Sequence, residues 1–262
     1  MILQERKKIQ YGILLTSSIR PNITNFSKRN DPKIRERDYR EVLEALVKTS
    51  YPIVFCDNSD YPLENIKNSL SSRLPETYEV LQFDGSTFPP HLGKGYGELQ
   101  IIKYAMNHSK ILKECDFVVK ITGRYSVQNI TEILDAIQVK NDTMIIADYD
   151  KLSSYTYSGL FIAKPSFFFN YLFSFQEFLN DSEKRFFEHA LFQAIQKVVN
   201  EGGGVLPFPV KPSITAISGT WNVRLKRGSY TEIGMSFTKM WAICGSYAKA
   251  LLRRFKKFTH II

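Results

Sequence analysis

A lysine set inside an otherwise apolar run is the feature that most constrains this chain. Cys115–Tyr125 reads C-D-F-V-V-K-I-T-G-R-Y. Phe117, Val118, Val119 and Ile121 are the β-branched and aromatic residues of a buried strand. A strand covered on both faces reads as nearly continuous apolar sequence, and Lys120 interrupts it. Gly123 ends the strand, and Arg124 and Tyr125 follow at once. In open α/β sheets, ligands sit beyond the carboxyl ends of strands. Lys120, Arg124, the Thr122 hydroxyl and a flexible Gly123 at such an end suit a diphosphate. Arg serves there as a fork and Lys as a point charge. Taken alone, the stretch reads equally well as a strand-edge Lys and an Arg in a solvated turn. Two further strand ends and a glycine-rich turn shift the balance.

The residues before and after it alternate between the two periods. Tyr11–Thr16 is a first buried strand, closing on Thr16-Ser17-Ser18 and then Ile19-Arg20. Small hydroxyls followed by Arg suit a polar ligand or an ordinary turn. Glu36–Lys48 places Tyr39, Val42, Leu43, Leu46 and Val47 on one helical face. Pro52–Cys56 is a second strand, ending in Asp57-Asn58-Ser59. An acidic residue there suits a ribose hydroxyl, and a D-N-S turn also suits a helix N-cap. Tyr78–Phe83 is the third strand. Gly93-Lys94-Gly95-Tyr96-Gly97-Glu98 then opens an amphipathic helix through about Leu112. Glycines before a helix let backbone amides approach an anion, with the helix dipole assisting. The turn is neither a Walker A motif nor GxGxxG. After Cys115–Tyr125 come a helix over Asn129–Gln138 and a strand over Thr143–Ala147, which ends in Asp148-Tyr149-Asp150. This alternation predicts a Rossmann-like α/β layer structure.

The second half reads differently. Tyr155–Ala163 is a candidate strand. Pro165–Leu179 is dense in Phe and Tyr, with Pro at a helix N1 position, and reads first as core and second as an acceptor or lipid-contact surface. Asp181–Asn200 predicts one helix, capped by Asp181, with Phe187, Leu191, Ile195 and Val198 on one face. Pro207–Thr220 reads as extended. Phe237–Phe258 predicts a basic amphipathic helix, with Trp241 on the apolar side and Lys249, Arg253, Arg254, Lys256 and Lys257 on the other. Such a helix suits a membrane surface, or packing on the catalytic domain with a solvated basic face.

A net charge of +9 over 262 residues suits nucleic acid, anionic membrane or phosphorylated substrates. Lys and Arg follow no RNP, helix-turn-helix or zinc pattern, which weighs against nucleic acid. The 3 cysteines show no CxxC, and Cys56 and Cys115 lie in apparent strands, so reduced thiols are expected. No run approaches the ~20 apolar residues that span a bilayer, and Met1–Gln10 carries no apolar signal segment. A cytoplasmic protein peripheral to the plasma membrane is the expectation.

The order T-S-S-I-R, C-D-N-S, G-K-G-Y-G-E, K-I-T-G-R-Y, a Phe-rich segment and F-F-E-H-A-L-F resembles bacterial glycosyltransferases of the GT-A fold that build capsule, lipopolysaccharide O-antigen or related surface glycans. The resemblance covers roughly residues 13–221. It implies a mixed α/β sheet flanked by helices, a catalytic domain over 1–235 with its nucleotide-sugar half at 1–150 and acceptor half at 151–235, and an amphipathic tail over 236–262. It implies a nucleotide-sugar donor, UDP-linked first, and a glycan or lipid-linked acceptor. By that likeness Thr16, Ser17, Arg20, Asp57, Asn58, Lys94, Gly95, Glu98, Thr122, Gly123 and Tyr125 hold the donor. The resemblance also departs from its pattern. A D-x-D metal motif is usual where this chain reads Lys120-Ile121-Thr122-Gly123-Arg124, so cations replace the acidic pair and transfer without Mg²⁺ or Mn²⁺ is expected. The competing reading uses Asp148 and Asp150 as a displaced D-x-D. Inversion needs a carboxylate near the acceptor hydroxyl. Glu188, between bulky apolar residues, fits first and His189 second, and a carboxylate that merely complements a helix dipole fits as well. A nucleotidyltransferase on a similar fold would need a Gly-rich signature near the first strand and acidic metal ligands.

Overall fold

A computed structural model describes residues 9–21, 29–85, 87–150, 154–217 and 224–227. The chain divides into two compact units, Met1–Leu225 and Lys226–Ile262. The basic stretch Phe237–Phe258 lies outside the described residues.

The first unit begins with β1 (Tyr11–Ser17), α1 (Pro32–Leu46), β2 (Ile53–Asp57), α2 (Glu64–Leu70) and β3 (Tyr78–Gln82). Then come α3 (Gly93–His108), α4 (Lys110–Glu114), β4 (Phe117–Thr122), β5 (Tyr125–Val127) and α5 (Ile130–Ala136). It continues through β6 (Thr143–Asp150), β7 (Tyr155–Ala163), α6 (Pro165–Asn170), α7 (Phe187–Asn200), β8 (Gly204–Leu206) and β9 (Ile214–Ile217). Seven strands form one sheet in the order β3-β2-β1-β4-β7-β6-β8. β1 runs parallel to β2 and β4, whereas β7 runs antiparallel to both β4 and β6. The expected mixed α/β sheet flanked by helices is therefore present.

Alternation along the strands sends side chains into two apolar layers. Ile13, Leu15, Phe55, Val119 and Ile121 pack on one face with Tyr39, Leu43 and Ile133. Leu14, Val54, Val118 and Phe161 pack on the other with Leu99, Ile102, Leu191 and Ile195. Lys120 alternates with Val119 and Ile121, so its side chain belongs to the layer of α3 and α7.

Several boundaries differ from the sequence expectation, each for a local reason. The helix expected to start at Glu36 starts at Pro32, because Asp31 accepts from the amides of Lys33 and Ile34 and Pro32 sits at N1. The helix expected to run from Gly93 to Leu112 breaks at Ser109, whose hydroxyl caps α4 by accepting from Leu112 N. The single helix expected over Asp181–Asn200 is two pieces. Asp181–Glu183 is one 3₁₀ turn, Lys184 adopts a left-handed φ of 61°, and α7 begins only at Phe187. Among the described residues, no helix is long and apolar enough to cross a membrane.

Candidate functional site

Sheet register brings three strand ends level. Thr16 lies opposite Thr122, and Ser17 opposite Asp57. Gly123 donates its amide to the Thr16 carbonyl at 2.9 Å. A Cβ on Gly123 would overlap that carbonyl and the Tyr39 ring, so only glycine lets the chain turn here toward α1.

Asp57 is fully engaged where β1 and β2 end. One carboxylate oxygen accepts from Ser17 Oγ at 2.5 Å and Ile19 N at 2.8 Å. The other accepts from Ser59 N at 2.8 Å and Ser59 Oγ at 2.5 Å. Ser17 and Asp57 thus tie the two strand ends together. Asn58 donates to Gly85 O at 3.3 Å, and its Oδ1 is buried with no hydrogen-bond partner. Arg20 reaches outward, pairing with exposed Asp60 at 2.7 Å and lying over the Tyr61 ring.

The turn after β4 presents Arg124, whose Nε and Nη1 are buried without a hydrogen-bond partner. A buried charged group without partners is expensive. Two other cations converge on it. Arg35 is 5% exposed. Its guanidinium donates to the Ser18 carbonyl at 2.8 Å, the Arg29 carbonyl at 3.1 Å and the Tyr39 hydroxyl at 3.2 Å. Burial lowers its pKa, and the charge of Arg124 lowers it further. Lys94, in the first turn of α3, keeps an exposed side chain; partial burial first, and then the charges of Arg124 and Arg35, bring its pKa down to about 8, with Asp181 opposing. Arg35 was not singled out from the sequence. The available signal was its place four residues before Tyr39 on the stripe that α1 buries.

The amides at the start of α3 hold an anion from the chain itself. Lys94 N donates to Asp181 Oδ2 at 2.9 Å, and the Gly95 amide bonds the same carboxylate. Gly93 has φ 73°, and a side chain there would overlap the Asp181 carboxylate. A Cβ on Gly95 would lie 2.9 Å from Phe187 N, so Gly95 permits the approach of α3 to α7.

One turn along α3, Glu98 anchors a second cluster. Its Oε1 accepts from Thr16 Oγ1 at 2.9 Å and Thr122 Oγ1 at 3.3 Å, and it forms an ion pair with Lys120. The Lys120 side chain is fully buried. Its ammonium also donates to Thr122 Oγ1 at 2.9 Å and Ser158 O at 2.8 Å, between the rings of Phe161 and Phe187. Lys120 is thus held within the sheet layer by oxygen acceptors. Ser158 Oγ in turn donates to Glu188 Oε1 at 2.7 Å. Burial raises the Glu188 pKa, while the Ser158 hydrogen bond and the Lys120 charge act against the rise. His189 turns aside. Its Nδ1 accepts from Phe186 N at 3.2 Å, its ring stacks on Phe186, and burial lowers its pKa. Tyr125 stacks against Tyr157, with centroids 6.3 Å apart.

The structure therefore joins Lys94, Arg124 and the unforeseen Arg35 in one group, and Thr16, Glu98, Lys120, Thr122 and Glu188 in another. Asp148 is exposed on β6, a strand that β7 separates from β4. The Asp150 side chain lies outside the described residues. Among the described residues, no three His, Cys, Asp or Glu side chains group as a metal site would.

No protein-family model and no curated protein matches the chain. Solved structures similar to it include the galactosyltransferase LgtC in complex with donor and acceptor sugar analogues. It is 12% identical, with 75% of this chain and 72% of that one covered and a TM-score of 0.45. A mannosyltransferase from Pyrobaculum calidifontis in complex with GDP-Man and Mn²⁺ is 10% identical, covered over 76% of this chain and 55% of that one, with a TM-score of 0.47. A cytidylyltransferase from Leptospira borgpetersenii is 13% identical, covered over 84% and 82%, with a TM-score of 0.46.

Proposed function

We propose that this chain is a glycosyltransferase of GT-A type that uses a nucleoside-diphosphate sugar, with UDP as the favoured nucleotide. The observation that carries the reading is the buried, unpartnered Nε and Nη1 of Arg124, converging with Lys94 and Arg35 beyond the ends of β1 and β4. Three neighbouring cations, Arg35 buried, Arg124 half-buried and Lys94 exposed, repel one another. A ligand with two or more negative charges and several acceptor oxygens relieves that repulsion and satisfies the fork. A diphosphate has both properties.

Glu188 takes the role of general base. The acceptor hydroxyl oxygen attacks the anomeric carbon, and its proton passes to the Glu188 carboxylate. The bond from the anomeric carbon to the phosphate oxygen breaks, and its electron pair stays on the departing diphosphate. Arg124, Lys94 and Arg35 stabilise that charge as it develops, where fixed charge is most effective. A raised carboxyl pKa strengthens Glu188 as a base. The reaction is an inverting transfer that draws its leaving-group stabilisation from side-chain cations and needs no metal. The acceptor class is a glycan or lipid-linked hydroxyl of bacterial surface polysaccharide synthesis, reached at an anionic membrane surface by the basic stretch Phe237–Phe258.

Calorimetry with UDP, GDP and dTDP tests the donor half of this reading. Binding of one of them by the unaltered protein, weakened by Arg124→Ala, is the expected result. No binding of any at millimolar concentration removes the reading.

A further inference from the structure

Arg35 and Tyr39 stand one turn apart on α1, and together they hold the peptide that follows β1. Ser18 donates its amide to the Tyr39 hydroxyl at 3.1 Å, and its carbonyl accepts from Arg35 Nε at 2.8 Å. A second Arg35 nitrogen, Nη2, donates to the same hydroxyl at 3.2 Å. The Tyr39 ring is fixed. It meets Phe55 edge-on, with centroids 5.9 Å apart, and a Cβ on Gly123 would lie 2.8 Å from it. Arg124 is the next residue along that turn. Tyr39 is 3% exposed. A phenol oxygen accepts from donors and carries one proton of its own. Here the oxygen serves Ser18 and Arg35, and the proton meets no acceptor among the described residues. A phenylalanine would fill the same space against Phe55 and Gly123 without a buried O–H left unserved, which carries a cost.

We infer that the Tyr39 hydroxyl is a further ligand-binding group of the diphosphate clamp: it donates its proton to a phosphate oxygen held by Arg35 and Arg124. This rests on the clamp reading above. The chemistry of the hydroxyl selects the ligand. With its oxygen engaged by two N–H donors, the group is left to donate, so it suits an oxygen that only accepts, as those of an ionised phosphate do. Accepting from a guanidinium polarises the O–H and strengthens it as a donor. The hydroxyl is also uncharged. It adds a contact to the crowded cations without adding to the repulsion between Arg124 and Arg35. The ring belongs to the apolar face of α1, packed with Leu43 and Phe55, and only the hydroxyl reaches the end of β1.

The test is calorimetric binding of inorganic pyrophosphate, and separately of UDP, at neutral pH. The unaltered protein, Tyr39→Phe, Arg35→Met and the double variant are compared. Tyr39→Phe should weaken both ligands roughly 10- to 100-fold, as loss of a hydrogen bond to a charged group predicts. A tyrosine that only seats Arg35 would act through it, so removing its hydroxyl would cost nothing further once Arg35 is gone. The double variant should instead bind roughly tenfold or more weakly than Arg35→Met. para-Aminophenylalanine placed at position 39 keeps an N–H donor there but accepts poorly, and it should restore most of the affinity. Equal affinities for Tyr39→Phe and the unaltered protein, or for the double variant and Arg35→Met, overturn the inference; weakened binding by Arg124→Ala alongside them leaves the clamp itself standing. If Tyr39→Phe or the double variant does not fold, the para-aminophenylalanine protein decides, and an affinity far below that of the unaltered protein overturns the inference. Binding of pyrophosphate with the expected losses but of no nucleotide upholds the role of Tyr39 while the donor reading fails. Binding of neither probe overturns both.

Discussion

Two charged groups meet at α3, one turn apart, and the fold treats their cations in different ways. Lys120 is fully buried and fully served, with Glu98, Thr122 and Ser158 as acceptors and the Phe161 and Phe187 rings around it. The Lys94, Arg124 and Arg35 group is crowded by like charge, and two Arg124 nitrogens have no partner. A buried charge that is paired holds structure in place, and removing its partner is costly. A buried cation left short of partners lowers the stability of the free protein and is tolerated where a ligand supplies the missing charge. On the proposed reading, pairing with a carboxylate, more than position at a strand end, separates Lys120 from Arg124.

The largest effect should come from the carboxylate joined to the paired group. On the proposed reading Glu188→Gln removes the base, and turnover should drop by roughly 10²–10⁴-fold while nucleoside-diphosphate affinity stays the same. The pH profile sharpens the test. Glu188 acts as a base only when ionised, and its pKa is raised. Activity of the unaltered protein should therefore fall as pH drops through that raised value. The residual activity of Glu188→Gln should lack this limb. Unchanged turnover removes Glu188 and directs attention to His189.

Lys120→Met breaks the paired group itself. It leaves Glu98 and the Ser158 carbonyl without their shared donor in a buried layer. Urea unfolding should show a loss of about 3–5 kcal/mol, the usual result of removing one member of a buried pair. A loss below ~1 kcal/mol would mean that the pairing does not hold the sheet to α3, and the contrast between the two groups would collapse.

What was legible in the sequence divides along the same line. Strands β1, β2 and β4 could be read because sheet position is written in β-branched and aromatic runs. Lys120 stood out for the same reason, as the one charge inside such a run. Its partners could not be read. Glu98 and Ser158 lie 22 and 38 residues away along the chain, and only the packing of α3 on the sheet and the pairing of β7 with β4 bring them to it. Asp181 misled because an Asp before an apolar period is a good cap by local rules. The left-handed turn at Lys184 that detaches it from α7 leaves no mark in the apolar pattern. Arg35 was hidden in the apolar stripe of α1, where a single Arg reads as a side chain extending to solvent.

Arg124→Ala removes a member of the crowded cation group, and its effects should be the reverse of those of Lys120→Met. Nucleoside-diphosphate affinity should fall roughly 10- to 100-fold, since hydrogen bonds to charged groups contribute about 1.5–3 kcal/mol. Stability in urea should hold or rise, because the repulsion that Arg124 exerts on Lys94 and Arg35 is gone. The Lys94 pKa should move back up toward its ordinary range for the same reason. Destabilisation as large as that of Lys120→Met would make Arg124 a structural cation and would leave the clamp without its central member.

The smallest expected effect is a null one, and it tests whether the crowded cation group does the work of a metal. A divalent ion at the leaving group contributes positive charge held near the departing oxygens. On the proposed reading, Arg124, Lys94 and Arg35 bring up to three positive charges to the leaving group in place of such an ion. Adding a metal there would increase the repulsion that already lowers the Lys94 pKa. Transfer should therefore proceed at the same rate with EDTA as without it, and added Mn²⁺ should leave the donor KM unchanged. The Lys94 pKa also sets the pH for the measurement. Near pH 7 the cluster carries its full charge and metal independence should be complete. At pH 9 the Lys94 charge is mostly lost, so any help from added Mg²⁺ should appear there first. Activity abolished by EDTA at pH 7 and restored by Mn²⁺ would mean that the cations cannot carry the leaving group alone. Asp148 and Asp150 would then be the carboxylates to replace next.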